Sequence, residues 1–118
     1  METYIEQVLD ALGDPTRRTV FERLRGGARS VGEIAEGMGV SRPAVSQHLK
    51  VLKAACLVTD RAEGTRRFYA VDPRGINALS SWLDGLWDEA AIAFKEAAER
   101  EAAKEMKLLK TRKKRRSQ

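Results

Sequence analysis

The segment of residues 41–71 constrains this chain most, because a short helical pattern is followed directly by two strand patterns. The strand patterns, residues 57–61 and 67–71, are rich in β-branched and aromatic types, and Glu63-Gly64 between them predicts a turn. A helix with a ribbon beside it is one way to grip duplex DNA, since a helix fits the major groove, about 12 Å wide.

Three further helices are predicted upstream of this segment. The first runs from Glu2 to about Leu12, and Asp14-Pro15 starts a second that stops at Gly26-Gly27. Ser30 and Glu33 have the spacing of a capping box and open a short third helix. A turn containing Gly39 leads to the fourth helix, so the third and fourth form a helix-turn-helix pattern.

The fourth helix is capped by Ser41 and extends to about Ala55, and the spacing of Val45, Leu49 and Leu52 predicts its buried face. Asp72-Pro73 repeats the Asp-Pro helix start and opens a long final helix. The predicted fold is mainly α with a small β-hairpin: a winged helix-turn-helix of five helices and a two-stranded wing, dimerising through its terminal helices. We expect residues 1–110 to form this DNA-binding and dimerisation domain and residues 111–118 to be a basic, disordered tail.

Composition excludes several classes of protein. No apolar run is long enough for a membrane span, and the single cysteine cannot form an internal disulfide, so a cytoplasmic protein is expected. No P-loop, dinucleotide-binding turn or nucleophile elbow is present, and we do not predict an enzyme. One His and one Cys are too few for a metal site, so neither a metal nor another cofactor is predicted.

The net charge of +5 is unevenly distributed. Residues 104–118 carry eight basic residues and one acid, whereas residues 75–103 carry two basic and six acidic residues. Residues 41–74 carry seven basic residues and three acids. The basic charge therefore lies in the segment proposed to bind DNA, residues 41–74, and at the C-terminal end.

The outer face of the fourth helix has the side chains that read bases: Arg42 can bond guanine, Gln47 can bond adenine, and Ser46 can bond a base or a phosphate. The alternative is a merely solvated helix face, but the Gly-containing turn and the following ribbon favour DNA. The full set of candidate DNA-binding residues is Ser41, Arg42, Pro43, Ser46, Gln47, His48, Lys50, Arg61, Arg66, Arg67 and Tyr69.

Two of the singled-out residues have simpler interpretations. His48 lies toward the buried side, where a hydrogen-bonded structural role comes before a phosphate contact. Cys56 stands where a helix commonly closes with a left-handed Gly, and packing is favoured over a thiol switch.

An apolar stripe follows along the last helix, and four or five short helices cannot readily cover it within one chain. Because palindromic DNA favours a two-fold dimer, we expect this stripe and part of the first helix to form a homodimer interface. The interface residues predicted in this way are Tyr4, Val8, Leu79, Trp82, Leu83, Leu86 and Trp87.

Residues 11–18 (ALGDPTRR), 30–58 and 61–87 resemble the ArsR/SmtB family of winged helix-turn-helix repressors, and SRPAVSQHLKVL is the most specific part of the match. The resemblance implies a homodimer that binds an imperfect inverted repeat, commonly represses transcription, and releases DNA on binding an effector. It also implies that Arg42, Pro43, Ser46 and Gln47 lie on the recognition helix and residues 61–67 on the wing. The chain lacks the Cys-x-Cys pattern of metal sensors in its third helix and has no His on its last helix, so it resembles the metal-independent branch.

The sequence thus predicts a dimeric, sequence-specific repressor acting on double-stranded DNA. Two alternatives remain open: a nonspecific nucleic-acid-associated protein acting through its basic tail, and a winged-helix module for protein interactions. No residue pattern identifies an operator sequence or a small-molecule effector.

Overall fold

The computed structural model describes residues 2–116 and has the predicted mainly helical architecture with a small antiparallel sheet. The sheet order is β1-β3-β2, in which β1 is a two-residue strand that sequence patterns did not predict. In chain order the elements are α1 (Glu2–Gly13), α2 (Pro15–Glu22), β1 (Arg29–Ser30), α3 (Val31–Ala35), α4 (Arg42–Ala54), β2 (Val58–Glu63), β3 (Arg66–Val71) and α5 (Pro73–Arg116).

The predicted helix starts are confirmed by their capping hydrogen bonds. The Asp14 carboxylate accepts the backbone N–H of Arg17 at 3.0 Å, which satisfies one of the orphan donors of α2. Ser30 and Glu33 form a reciprocal capping box at the start of α3, with bonds of 3.3 and 3.0 Å. Asp72 accepts the backbone N–H of Arg74 at 3.0 Å immediately before α5.

Arginines of and beside α2 close the ends of two other helices. Arg17 donates to the carbonyls of Ala11 and Asp10 at 2.6 and 3.1 Å, and Arg18 donates to the carbonyl of Leu12 at 2.8 Å. Arg23, the C-cap residue of α2, donates in the same way to carbonyls at the end of α3. The last carbonyls of a helix have no hydrogen-bond partner within the helix, and they carry partial negative charge. A guanidinium therefore stabilises a helix end both by donating hydrogen bonds to these carbonyls and by its positive charge.

The end of α4 is a Schellman closure around Cys56, whose φ is +58°. The N–H of Leu57 bonds the carbonyl of Leu52 and that of Cys56 bonds the carbonyl of Lys53, both at 3.0 Å. The predicted left-handed helix end is therefore present, although a side-chain-bearing residue occupies it. The first turn of α5 packs on this closure, because Gly75 donates to the Cys56 carbonyl at 2.8 Å.

One apolar core joins the helices and the base of the wing. It includes the predicted inner face of α4, and Val8 of α1 is fully buried in it. The buried set is Val8, Ala11, Val20, Leu24, Ile34, Val45, Leu49, Leu52, Ala55, Leu57 and Val58.

The chain divides into two compact units, the first ending at Trp82 and the second beginning at Leu83. The second unit is the remainder of α5, which continues through residues 111–116 where the sequence predicts a disordered tail. No Gly or Pro follows Gly85, and Lys and Arg are good helix formers, so nothing in this stretch breaks the helix. None of the helices in the described part of the chain is long and apolar enough to cross a membrane.

Candidate nucleic-acid interface

Helix α4 separates an apolar inner face from a polar outer face. Val45, Leu49 and Leu52 are fully buried, which fixes the rotation of the helix on the core. The outward residues are all exposed: Arg42, Pro43, Ser46, Gln47, Lys50 and Lys53. The sequence therefore identified the outer surface of this helix correctly.

The first turn of α4 uses two of the candidate residues for its own structure. The Ser41 hydroxyl accepts the backbone N–H of Ala44 at 3.2 Å, so Ser41 is the N-cap. Pro43 follows in the first turn, where the missing N–H costs nothing. Arg42 folds its guanidinium over Gly32, so close that a Cβ at that glycine would lie 3.0 Å from Arg42 Nη2. A side chain at position 32 would require the Arg42 guanidinium to shift by a few tenths of an ångström.

The wing is a hairpin whose turn lies one residue later than predicted. Glu63 pairs with Arg66, so the two-residue turn is Gly64-Thr65 rather than Glu63-Gly64. Gly64 has a φ of +62°, and Gly at the first of two turn positions is the arrangement of a type II′ hairpin. The glycine determines the position of the turn because positive φ is strained for other residues.

A single carboxylate connects the wing to α4. Asp60 on β2 accepts Lys53 Nζ of α4 at 2.8 Å and Arg67 Nη1 of β3 at 2.9 Å. Its side chain is only 11% exposed, whereas those of Lys53 and Arg67 are 54% and 53% exposed. The hydrogen bonds from Lys53 and then Arg67 lower the pKa of Asp60 against the opposing effect of its burial.

The other two wing arginines differ in how firmly they are held. Arg66 donates to the Ser30 hydroxyl at 3.1 Å, lies 3.6 Å from Glu33 Oε1, and stacks over Phe68 at 5.0 Å. It thereby ties the wing tip to the capping box of α3. Arg61 lies 3.9 Å from Glu63 and 6.0 Å from the Phe68 ring centre, which are weak contacts for a side chain that is 64% exposed. Arg61 is thus the more available cation.

These elements enclose an open groove of about 970 Å³ between α3, the start of α4 and the wing tip. Arg42, Arg66 and Arg67 all line it, so the structure gathers three of the predicted DNA-binding arginines around one concavity. His48 and Tyr69 are half-buried, and Lys50 is exposed. The groove also has acidic residues, Glu33 and Glu36, on its α3 side.

Sequence reasoning missed Asp60, which joins α4 to the wing. Little in the sequence indicates this role, because Asp60 is an acidic residue within a basic segment and its partners, Lys53 and Arg67, lie on other elements. The capping box Ser30–Glu33 was predicted, but its contact with Arg66, 36 residues away from Ser30, was not.

The predicted dimer-interface residues fall into three groups. Val8 is 0% exposed in the core of the single chain, so its assignment to a dimer interface is wrong. Tyr4 and Leu79 are half-buried. The exposed members are Trp82, Leu83, Leu86 and Trp87, of which Trp87 is 76% exposed.

Metal binding and thiol chemistry are the other kinds of chemistry that a site in this chain could carry. Among the residues that the structure describes, no group of three or more His, Cys, Asp and Glu is placed to hold a metal ion. Cys56 is half-buried beside Tyr4; burial, followed by the hydrogen bond with the Cys56 thiol, raises the pKa of the Tyr4 hydroxyl. The thiol thus belongs to the packing between α1 and the end of α4.

A protein-family model described as a helix-turn-helix domain matches residues 12–61. The chain is 52% identical over 96 residues to the HTH-type transcriptional regulator Rv2034 of Mycobacterium tuberculosis, covering 80% of this chain and 90% of the relative. It is 33% identical over 79 residues to the transcriptional repressor SdpR of Bacillus subtilis, covering 67% of this chain and 88% of the relative.

Among solved structures, the chain resembles a homodimeric winged helix-turn-helix DNA-binding domain from Mycobacterium bovis, described as a possible ArsR-family transcriptional regulator. That likeness has a TM-score of 0.60 at 30% identity and covers 74% of this chain and 81% of the other.

Proposed function

Because the chain belongs to the ArsR/SmtB family of winged helix-turn-helix transcriptional regulators, we propose that it is a homodimeric repressor that reads an inverted-repeat operator through the outer face of α4. The observation that carries this proposal is the exposure of Arg42, Ser46 and Gln47 on a helix whose opposite face is fully buried. No metal cofactor is part of the proposal.

The side chains have distinct roles in this reading. The Arg42 guanidinium donates two N–H groups to the O6 and N7 acceptors of guanine, and the Gln47 amide donates to N7 and accepts from the N6 amino group of adenine. Each such pair contributes about 1–3 kcal/mol of discrimination. The Ser46 hydroxyl bonds either a base edge or a phosphate of the DNA backbone. Lys50 and Arg61, both exposed, contact phosphates and set the position of the helix without selecting a sequence.

Dimerisation brings two such helices to successive turns of the duplex. The exposed side chains of Leu83, Leu86 and Trp87 form an apolar surface on the second unit, and Trp82 ends the first. Burying such a surface against a second copy removes it from water and imposes two-fold symmetry on the half-sites. Half-sites then lie about one helical turn apart, 10–10.5 base pairs or a multiple of it.

Base reading is tested by measuring binding of Arg42→Ala and Gln47→Ala to a panel of operator variants, with the operator first found by selection from random DNA. Each substitution should cost about 1–3 kcal/mol on the preferred operator and remove discrimination at a single base pair. The matched control for loss of charge is Arg25→Ala, because the Arg25 side chain is exposed and lies in the connection between α2 and β1. An equal loss on every sequence would reject base reading by that residue.

A second candidate function is sequence-independent binding through the C-terminal end, favoured by the net charge of +7 over residues 104–118. Deleting residues 111–118 discriminates between the two. Operator reading predicts that the preferred sequence survives and that the salt dependence falls by about one unit of log–log slope per lost phosphate contact. Loss of all binding on deletion would instead favour the tail-driven function.

A further inference from the structure

The distal part of α5 has an exposed apolar stripe that the proposed function leaves unexplained. Its members follow one another at steps of 3, 4, 4, 4 and 3 residues, so the spacing reads the same in both directions about residue 100. At 100° per residue they occupy about 120° of the helix surface. We call this set the distal stripe; it consists of Ala91, Phe94, Ala98, Ala102, Met106 and Leu109.

The large members of the distal stripe are strongly exposed. Phe94 is 76% exposed, and Met106 and Leu109 are each 57% exposed. The small residues Ala98 and Ala102 lie at its centre, where two helix backbones can approach closely. A helix this long with so much apolar surface in water gains stability when that surface is covered.

Charge along the same helix divides at its centre. Residues 84–101 carry six acids and two basic residues, whereas residues 104–116 carry eight basic residues and one acid. A parallel helix pair would place the two basic segments side by side. An antiparallel pair places each basic segment against the acidic segment of the other copy.

From the palindromic spacing and the divided charge, we propose that the distal stripe pairs antiparallel with the distal stripe of a second copy of this chain. Ala98 then lies beside Ala102 of the other copy, and Phe94 beside Met106. This surface is additional to the dimer interface in the proposed function.

The two surfaces require different partners. In an antiparallel pair centred on residue 100, the Leu83 residues of the two copies lie toward opposite ends, each 17 residues from the centre. At a rise of 1.5 Å per residue, the two Leu83 residues are about 51 Å apart along the pair. Two helices joined at their distal stripes therefore leave Leu83 and Leu86 of both copies free for other partners. Each dimer thus joins another, giving assemblies of four or more copies.

Disulfide cross-linking tests the orientation directly. Ala91→Cys and Leu109→Cys are made separately in a full-length Cys56→Ser background, and the two proteins are mixed and oxidised. Antiparallel pairing places residue 91 beside residue 109 of the other copy, within disulfide range, and separates the two residues 91 by about 27 Å. We expect the mixed disulfide to form at least tenfold faster than either homodisulfide. Faster 91–91 linkage would overturn the antiparallel arrangement.

The mass of the full-length protein in solution tests whether the surface joins dimers. Wild type should sediment as a species larger than a dimer, and Phe94→Asp with Met106→Asp should reduce it to a dimer while the melting temperature of the folded unit is retained. A wild-type protein that is only dimeric, with no mixed cross-link, would overturn the proposal. Operator binding is measured on the same samples, so a failure of the repressor function is seen separately from a failure of the distal pairing.

Discussion

Gly75 is the position where the structure most clearly forbids a side chain. It is buried in the first turn of α5, and its N–H donates to the Cys56 carbonyl at 2.8 Å. A Cβ at this position would lie 2.6 Å from the Cys56 carbonyl oxygen and 2.8 Å from Leu57 Cδ2. Two of the three nearest atoms belong to the Cys56 backbone, within the Schellman closure of α4. The substitution Gly75→Ala must therefore push α5 away from the end of α4.

The expected cost of Gly75→Ala has two parts. Overpacking of a tight site costs about 1–3 kcal/mol, and the rigid backbone of Cys56 favours the upper half of that range. Lengthening the Gly75–Cys56 hydrogen bond adds about 0.5–1.5 kcal/mol. We expect a loss of about 2.5–4.5 kcal/mol in the free energy of unfolding, which is a large fraction of the stability of a small domain. The melting temperature should fall by roughly 10–25 °C.

Urea unfolding followed by far-ultraviolet circular dichroism measures this loss, and Gly85→Ala is the matched control. Gly85 lies on the same helix with no atom within 4 Å of its virtual Cβ. Alanine there should raise stability by up to about 1 kcal/mol, because glycine is a poor helix former. If Gly75→Ala were as stable as Gly85→Ala, the close approach of α5 to α4 would be refuted.

Three further changes test other parts of the fold. Cys56→Gly should raise the free energy of unfolding by about 1 kcal/mol, because a left-handed backbone costs a side-chain-bearing residue about 1–2 kcal/mol. An unchanged urea midpoint would contradict this. Arg17→Met removes the donors to carbonyls in the last turn of α1 and should lower the free energy of unfolding, measured by thermal unfolding, by about 1–2 kcal/mol. Arg25 is exposed, so Arg25→Met should lower it by about 0.5 kcal/mol or less. Hydrogen bonds from the Arg74 side chain and backbone lower the pKa of Asp72. Its ionised form therefore stabilises the fold above an unfolded pKa of about 4, and this stability is lost as the pH falls through the lower folded pKa. Asp72→Asn should flatten the dependence of the urea midpoint on pH below about pH 4, and a curve identical to that of the wild type would argue against the pairing.

Local signals in the sequence were sufficient for most of the fold. The Asp14-Pro15 and Asp72-Pro73 starts and the Ser30–Glu33 capping box depend on residues within three positions of one another. The inner face of α4 follows from the period of a helix alone. The two-residue strand β1 was missed because it is too short for any periodic pattern and exists only by pairing with β3.

Contacts between elements were beyond the reach of the sequence. The Asp60 carboxylate joins three elements, and nothing in the spacing of Lys53, Asp60 and Arg67 reveals that they meet. Val8 shows a related difficulty. The helical spacing of apolar residues identifies which face of a helix is buried, but it does not show whether that face packs on its own chain or on a second copy. The Val8 side chain is covered by the core of its own chain.

The paired arginines of the wing have a consequence for how the protein finds its site in a genome. Arg66 and Arg67 are already held by carboxylates of their own chain, so random DNA must compete with Glu33 and Asp60 for them. That competition weakens every encounter by a similar amount, whatever the sequence, and does not involve Arg42, Ser46 and Gln47, the side chains that we propose to read bases. A regulator faces about 10⁶–10⁹ decoy positions for each operator, and occupancy depends on the ratio of the two affinities. Because the loss is similar for operator and random DNA, internal carboxylates that occupy these cations leave the ratio of the two affinities unchanged and shorten the residence of the protein on both.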